Sequence, residues 1–444
     1  MRDDVVNMAA ETCKKAGAGE WEVFCIETKN FYVESNNREL ESLESSAGCG
    51  IAVRLRVEGR PGFSYTADLT KESVELAVRA AVSGASAADP EPDGAFATPG
   101  VAVSELDIWD EDFDRAEQSE KIARAVSVEE AAMAVDPRIK KVRSASYSEK
   151  ARVVRIVNHL GMDLSSRSNI CSSSVMTVAE DGKDSQSAWE VAHSPKWARL
   201  DFEGVGRRAA MDALELLGAK TMPTQKSPVL LRNTAACDLV EVLSESFSGE
   251  AVAKGRSMLA GKAGKKIFGD LITLVDDGLL EGGADSFPFD GEGVRRRKTT
   301  LVEAGVLKGY LYDLPWARKS GTESTGNASR GGYTAAPTPS KTNLYIKPGT
   351  SNVADAIEDM GSGLLVAELM GVHTANQVTG DFSVGARGWR IEDGGKTHPV
   401  QGVTIAGNIM ELLAMVDVVC DDLKFYGQVG SPSLRVPALD IGGS

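Results

Sequence analysis

Apolar residues recur at every fourth position through Leu239, Leu243, Phe247 and Ala251. That spacing predicts one helix with a single apolar face, with Thr234 as its N-cap and Gly255 just past its last turn. Glu241, Ser244, Glu245 and Ser248 fall together on the opposite, polar face. Near the start of the chain the period is two instead. Ile51, Val53, Leu55 and Val57 alternate with Ala52, Arg54 and Arg56, which predicts a strand with one wet face. A turn at residues 59–62 leads to a second strand at 63–66. A helix carrying Val74, Val78 and Ala81 follows, capped by Asp68 or Thr70. Residues 83–99, rich in Ala, Asp, Pro and Gly, read as a loop, and residues 115–135 as one long amphipathic helix ended by Asp136-Pro137.

Strands are expected again at 152–157, 174–179 and 187–192, then a helix from Asp201 carrying Val205, Ala209 and Leu216. Arg-Ala-Ala occurs at 79–81 and at 208–210, too short a match to establish a duplication. Residues 219–227 are polar, contain a proline and separate a helix from the strand beginning at Pro228. They divide an N-terminal domain, residues 1–220, from a C-terminal domain, residues 228–444. From residue 264 to 440 short strands, glycine turns and hairpins dominate, such as the Asp393-Gly394-Gly395-Lys396 turn. Helices and strands are segregated rather than alternating, so the fold class is α+β with a β-rich C-terminal domain.

Composition narrows the function classes. A 444-residue chain with 42% apolar and 25% charged residues has enough apolar side chains for real cores. Its net charge of −15 opposes direct nucleic-acid binding, which needs basic surface to displace counterions. The N-terminus is acidic and lacks the apolar core of a signal peptide, and no apolar run reaches the ~18–20 residues that span a bilayer. Six scattered cysteines (Cys13, Cys25, Cys49, Cys171, Cys237 and Cys420) with no Cys-x-x-Cys pair read as reduced thiols, which points to the cytoplasm.

Most candidate chemistry is weak. The run from Gly249 to Ser257 lacks P-loop spacing and has Arg256 where the phosphate-binding lysine belongs. Asp276, Asp277, Glu281, Asp285, Asp290 and Glu292 cluster without EF-hand spacing, as acidic turns commonly do. His159, His193, His373 and His398 are too far apart for a two-histidine metal face, and no Gly-x-Ser-x-Gly elbow supports a triad.

The string Leu243-Ser244-Glu245-Ser246-Phe247-Ser248-Gly249-Glu250-Ala251 resembles the active-site helix of the TldD/PmbA family, the so-called modulators of DNA gyrase. Gly283 to Gly293, Ser324 to Gly331, Thr342 to Ile346, Gly380 to Ser383, Arg390 to Gly394 and Gly430 to Val436 resemble other segments of the same family. The resemblance spans nearly the whole chain and is most specific over residues 228–440. In the family's metal-bearing branch the helix reads His-Glu-x-x-x-His, and a late cysteine completes the zinc site. Here Ser244 and Gly249 stand at the histidine positions, Glu245 alone is retained, and residues 421–430 contain no cysteine. Hydroxyl and hydrogen are not the donors Zn²⁺ prefers. The chain therefore resembles the metal-free PmbA/TldE-like branch.

The resemblance implies a non-catalytic subunit with no cofactor of its own, paired with a TldD-like zinc peptidase subunit that cleaves unfolded or extended peptides. Whether the isolated chain pairs with a second copy of itself stays open. Two other readings stay open: a stand-alone homodimeric hydrolase using carboxylates such as Glu245 without zinc, and a protein-binding regulator.

Overall fold

The computed structural model describes residues 3–100 and 105–443. The N-terminal half contains α1 (Asp3–Lys15), β1 (Glu20–Asn36), β2 (Glu39–Val57), β3 (Arg60–Thr66) and α2 (Lys71–Ala87). It continues with α3 (Asp112–Arg115), α4 (Gln118–Met133), β4 (Ile139–Asn158), β5 (Asp163–Asp181), β6 (Asp184–Ser194) and α5 (Phe202–Glu215). All six strands form one sheet in the order β3-β2-β1-β4-β5-β6, with β1 antiparallel to β4 at its centre. Each half of the sheet is a helix, three meandering strands and a helix. The duplication that the Arg-Ala-Ala match could not establish is therefore plain in the topology. The helix expected over 115–135 is broken, because Ala116 and Glu117 are extended and separate α3 from α4.

Alternation along these strands sorts side chains by face. Trp21, Val23, Cys25, Ile51, Val53 and Leu55 pack under α1 and α2, while Val33, Tyr147, Cys171 and Val175 pack under α4 and α5. Phe24, Ala52, Val154 and Ile156 point the other way, onto Phe287 and Phe289 of the C-terminal half. The helix caps expected at Thr70 and Asp201 form: their side chains accept from the backbone N–H of Ser73 and Gly204.

The chain crosses into the C-terminal half between α5 and β7 (Gln225–Leu231), which leads directly into α6 (Asn233–Ser244) and α7 (Gly249–Ala253). Next come β8 (Leu274–Asp277), β9 (Lys298–Glu303), β10 (Val306–Leu307), α8 (Leu314–Lys319), β11 (Ala328–Ser329), β12 (Thr338–Pro339) and β13 (Leu344–Ile346). The remaining elements are α9 (Val353–Met360), β14 (Gly363–Met370), β15 (Asp381–Glu392), β16 (Gly395–Asn408), α10 (Ile409–Met415), β17 (Val418–Val419), β18 (Lys424–Tyr426), β19 (Val429–Ser431) and β20 (Leu434–Gly442). One sheet runs β10-β9-β8-β13-β19-β18. The other six-stranded sheet runs β16-β15-β14-β7-β20-β17, and β16 also pairs with β20, so five of its strands close on themselves; β11 and β12 form a separate two-stranded sheet. Helix α6 packs against β14, β18 and β19, between the two sheets. The Asp393-Gly394 turn has both φ angles positive, at 49° and 73°, as the tight β15–β16 hairpin requires.

Candidate functional site

Helix α6 starts two residues earlier than its sequence suggests, with Arg232 rather than Thr234 at the N-cap position. Thr234 does not cap it; its hydroxyl instead donates to the Tyr426 phenol oxygen at 2.8 Å. Leu239, Val240, Val242 and Leu243 are buried, and Thr234, Asp238, Glu241 and Glu245 form the outward stripe. The single helix expected from Thr234 to Gly255 is interrupted. After Ser244 comes one tight turn, Glu245–Phe247, and Ser248 is extended. The cause lies outside the helix: Leu311 donates to the Phe247 carbonyl at 2.8 Å and accepts from Gly249 N–H at 2.9 Å, drawing the chain into a bridge. The Ser248 hydroxyl then caps α7. Ser244 is covered by Lys341 and Ser248 is buried at the break, so the expected four-residue polar face does not form; of its four residues Glu241 and Glu245 remain exposed.

Around Ser244 and Gly249 the chain supplies its own filling. The Lys341 ammonium sits 2.7 Å from Glu241 Oε1 and 3.2 Å from Ser244 Oγ, with its side chain only 9% exposed. The Ser244 hydroxyl itself donates to the Glu241 carbonyl at 2.6 Å. Gly249 lies under the Tyr312 ring, and a Cβ at this position would fall well inside van der Waals contact with it. Glu245 projects to solvent with no protein partner among the described residues. The hairpin of β18 and β19, which spans the cysteine-free interval, lies along the start of α6. There the Cys237 thiol faces the carbonyls of Lys424 and Val429, both 3.6 Å away. Burial pushes the thiols of Cys237 and Cys420 up to about 12, so both are protonated at neutral pH.

Three family models match the chain in succession: PmbA/TldA metallopeptidase domain 1 over residues 21–85, the central domain over 111–217 and the C-terminal domain over 224–443. The chain belongs to the PmbA/TldD family. The metalloprotease PmbA of Escherichia coli O157:H7 is 29% identical over 99% of this chain and 96% of its own length. The crystal structure of a Thermotoga maritima protein, named as a modulator of a DNA gyrase, superposes with a TM-score of 0.93 at 30% identity, covering all of both chains. TldE from Thermococcus kodakarensis shares the fold, with a TM-score of 0.90 at 24% identity over 99% of each chain. Residues 1–220, expected as one domain, correspond to two PmbA/TldD models that share one continuous sheet.

Zinc, which the metallopeptidase description of the family implies, does not fit the residues this PmbA/TldD chain presents. Ser244 offers a hydroxyl already bonded and has an ammonium beside it, and Gly249 offers no side chain and lies under the Tyr312 ring. Among the described residues, no three His, Cys, Asp or Glu side chains gather to hold a metal ion. Sequence reasoning missed Lys341 and Tyr312, because each is distant in the chain from the residue it covers. The only available signal was the resemblance of the neighbouring Thr342 to Ile346 segment.

The acidic cluster has structural work. Asp276 accepts from Thr342 and Asn327, and Asp290 from the backbone N–H of Glu292, Val294 and Ala328. Asp285 pairs with Arg152 and Arg296, and Glu292 with Arg54. Arg152 and Arg54 come from the N-terminal sheet, so these acids fasten the two halves together. His159 bonds the Trp21 backbone through Nδ1, His398 contacts Thr397, and burial holds the His193 imidazole below its usual range.

One carboxyl on the outward stripe of α6 is unusual. Burial, reinforced by Glu368 and Glu241, pushes Asp238 up to about 7. The folded protein therefore holds this proton more tightly than the unfolded chain. The stability it contributes is full below pH 3.8, is lost progressively as pH rises to about 7, and is absent above that. Asp238→Asn removes the buried charge. Thermal unfolding should show it raising Tm by roughly 3 °C at pH 8 and by much less at pH 4.

Proposed function

We propose that this chain is the metal-free, non-catalytic subunit of a two-chain zinc metallopeptidase that acts on unfolded or extended peptides. Its partner is a TldD-like relative carrying His-Glu-x-x-x-His and the late cysteine, and the metal and the glutamate base belong to that partner. The observation that carries this reading is the pairing of Lys341 with Ser244 and of Tyr312 with Gly249, where an ammonium and a ring fill the space of two ligands. This chain contributes half of the wall enclosing the substrate, and its β-rich half offers backbone groups that bind an extended peptide without reading its sequence. Glu245, exposed and unpartnered, is a remnant of the motif. No helix among the described residues is long and apolar enough to cross a membrane.

A second reading, a stand-alone hydrolase, draws on Asp238 rather than Glu245. A carboxyl at about 7 flanked by Glu241 and Glu368 is matched to proton transfer near neutrality. One experiment separates the two: cleavage of an unstructured peptide by this chain alone, by the metal-bearing relative alone, and by their mixture, each with and without chelator. The subunit reading expects chelator-sensitive cleavage that requires both chains. Cleavage by the isolated chain that survives chelation, and is abolished by Asp238→Asn, would replace it with the second reading.

A further inference from the structure

Between the N-terminal sheet and the C-terminal half lies an open cleft of about 910 Å³, remote in sequence from α6. Its floor is apolar, with Phe96 and Met162 on one side and Val294 and Leu314 on the other. Its charged lining is strongly one-sided. Residues 295–298, Arg-Arg-Arg-Lys, and Arg318 face it, against only Asp163 and Glu323. In a chain of net charge −15 such a concentration of cations is a local reversal.

Two of these cations are not neutralised. Lys298 pairs with Asp277 and Arg296 with Asp285. Arg297 instead donates to the Ser324 carbonyl at 2.7 Å and Arg318 to the Gly94 carbonyl at 2.9 Å. Neither guanidinium has a carboxylate partner among the described residues. Each backbone bond fixes one edge of the guanidinium fork and leaves other N–H donors available. Arg296, buried in the same wall, has an Nε with no acceptor. By contrast, Arg54, Arg56, Arg155, Arg232, Arg387 and Arg435 all reach a carboxylate.

We propose that this cleft binds an extended peptide segment bearing carboxylates, with Arg297 and Arg318 pairing acidic side chains over the apolar floor. Guanidinium groups held at one edge suit planar carboxylates, which they can engage through two parallel bonds. The floor favours a peptide over nucleic acid. It holds no exposed aromatic platform for base stacking, since Phe96 is buried edge-on against His159. The proposal concerns the isolated chain and stands whether or not a metal-bearing partner exists.

The test is fluorescence anisotropy with a labelled, unstructured Glu/Leu peptide, the same peptide with Gln for every Glu, and inorganic phosphate as competitor. The acidic peptide should bind roughly tenfold more tightly than its Gln counterpart, a preference that shrinks as salt is raised. Arg297→Gln with Arg318→Gln should abolish the preference while leaving Tm nearly unchanged, since both residues are exposed and each gives up a single bond to a carbonyl. Equal binding of both peptides would overturn the proposal, as would a preference that survives the double substitution. Displacement of the acidic peptide by phosphate at equal concentration would also overturn it, identifying a phosphate site.

Discussion

Gly249→His is expected to destabilise the protein by about 2–4 kcal/mol and to bind no zinc, even combined with Ser244→His. The new Cβ would be driven into the Tyr312 ring and close to the Leu311 carbonyl. Leu311 cannot easily retreat, because it bonds the backbone on both sides of the break, at Phe247 and Gly249. The imidazole at residue 244 would in turn meet the Lys341 ammonium, which repels a divalent cation and is itself held by Glu241. Residues far away in the chain thus fill the space beside Ser244 and Gly249. Placing histidines there does not by itself empty it. Adding Tyr312→Ala and Lys341→Ala should recover part of the lost stability, read by chemical denaturation. A stable Ser244→His, Gly249→His protein holding zinc without those changes would show that the space is not filled.

Arg330→Met is expected to cost about 3–5 kcal/mol and to loosen the seam between the halves. Glu22 of β1 and Arg54 of β2 sit opposite each other in register, and both reach across to the C-terminal half. Arg54 pairs with Glu22 at 3.1 Å and Glu292 at 2.7 Å, and Arg330 completes the group by pairing with Glu22. Glu22 and Glu292 side chains are 0% exposed and Arg330 only 2%, so each charge depends on the others for compensation. The Arg330 guanidinium also lies over the Phe24 ring at 4.6 Å and bonds the Gly291 carbonyl. Without it, Glu22 is left in a dry seam with Arg54 as its one ionic partner. Glu22→Gln in the same background should recover part of the loss, a non-additivity that identifies the network rather than general packing as the cause. Limited proteolysis should show earlier cleavage at the seam in Arg330→Met, and simple addition of the two single effects would contradict the network.

Local patterns carried the elements that packing merely accepts. The alternation at residues 51–57 is the C-terminal part of β2, but the face expected to be wet is covered, Ala52 by Phe287 and Phe289 and Arg54 by Glu292; Asp201 caps α5 as its spacing suggests. The full length of the strands was not legible. Along β4 and β5, Ser146 pairs with Ser174 and Ser148 with Ser172 through their hydroxyls, a polar ladder in which hydrophobic alternation is invisible. Helices α9 and α10 were missed inside a region that otherwise reads as β. Yet Asn352 caps α9 through Asp355 N–H, so a short-range signal was present. At the site, the resemblance singles out residues 244, 245 and 249. The break of the helix was not legible, because it is imposed by Leu311 from another segment. The same holds for Lys341, whose place beside Ser244 exists only in three dimensions.

The measurement that bears most directly on the subunit account is zinc-dependent peptide cleavage, assayed for this chain before and after addition of a relative with the intact metal motif. The account predicts less than one zinc per chain and no turnover from the purified protein, with chelator-sensitive turnover appearing only in the mixture. A stoichiometric, tightly held zinc in the isolated chain, with cleavage that a chelator abolishes, would contradict it.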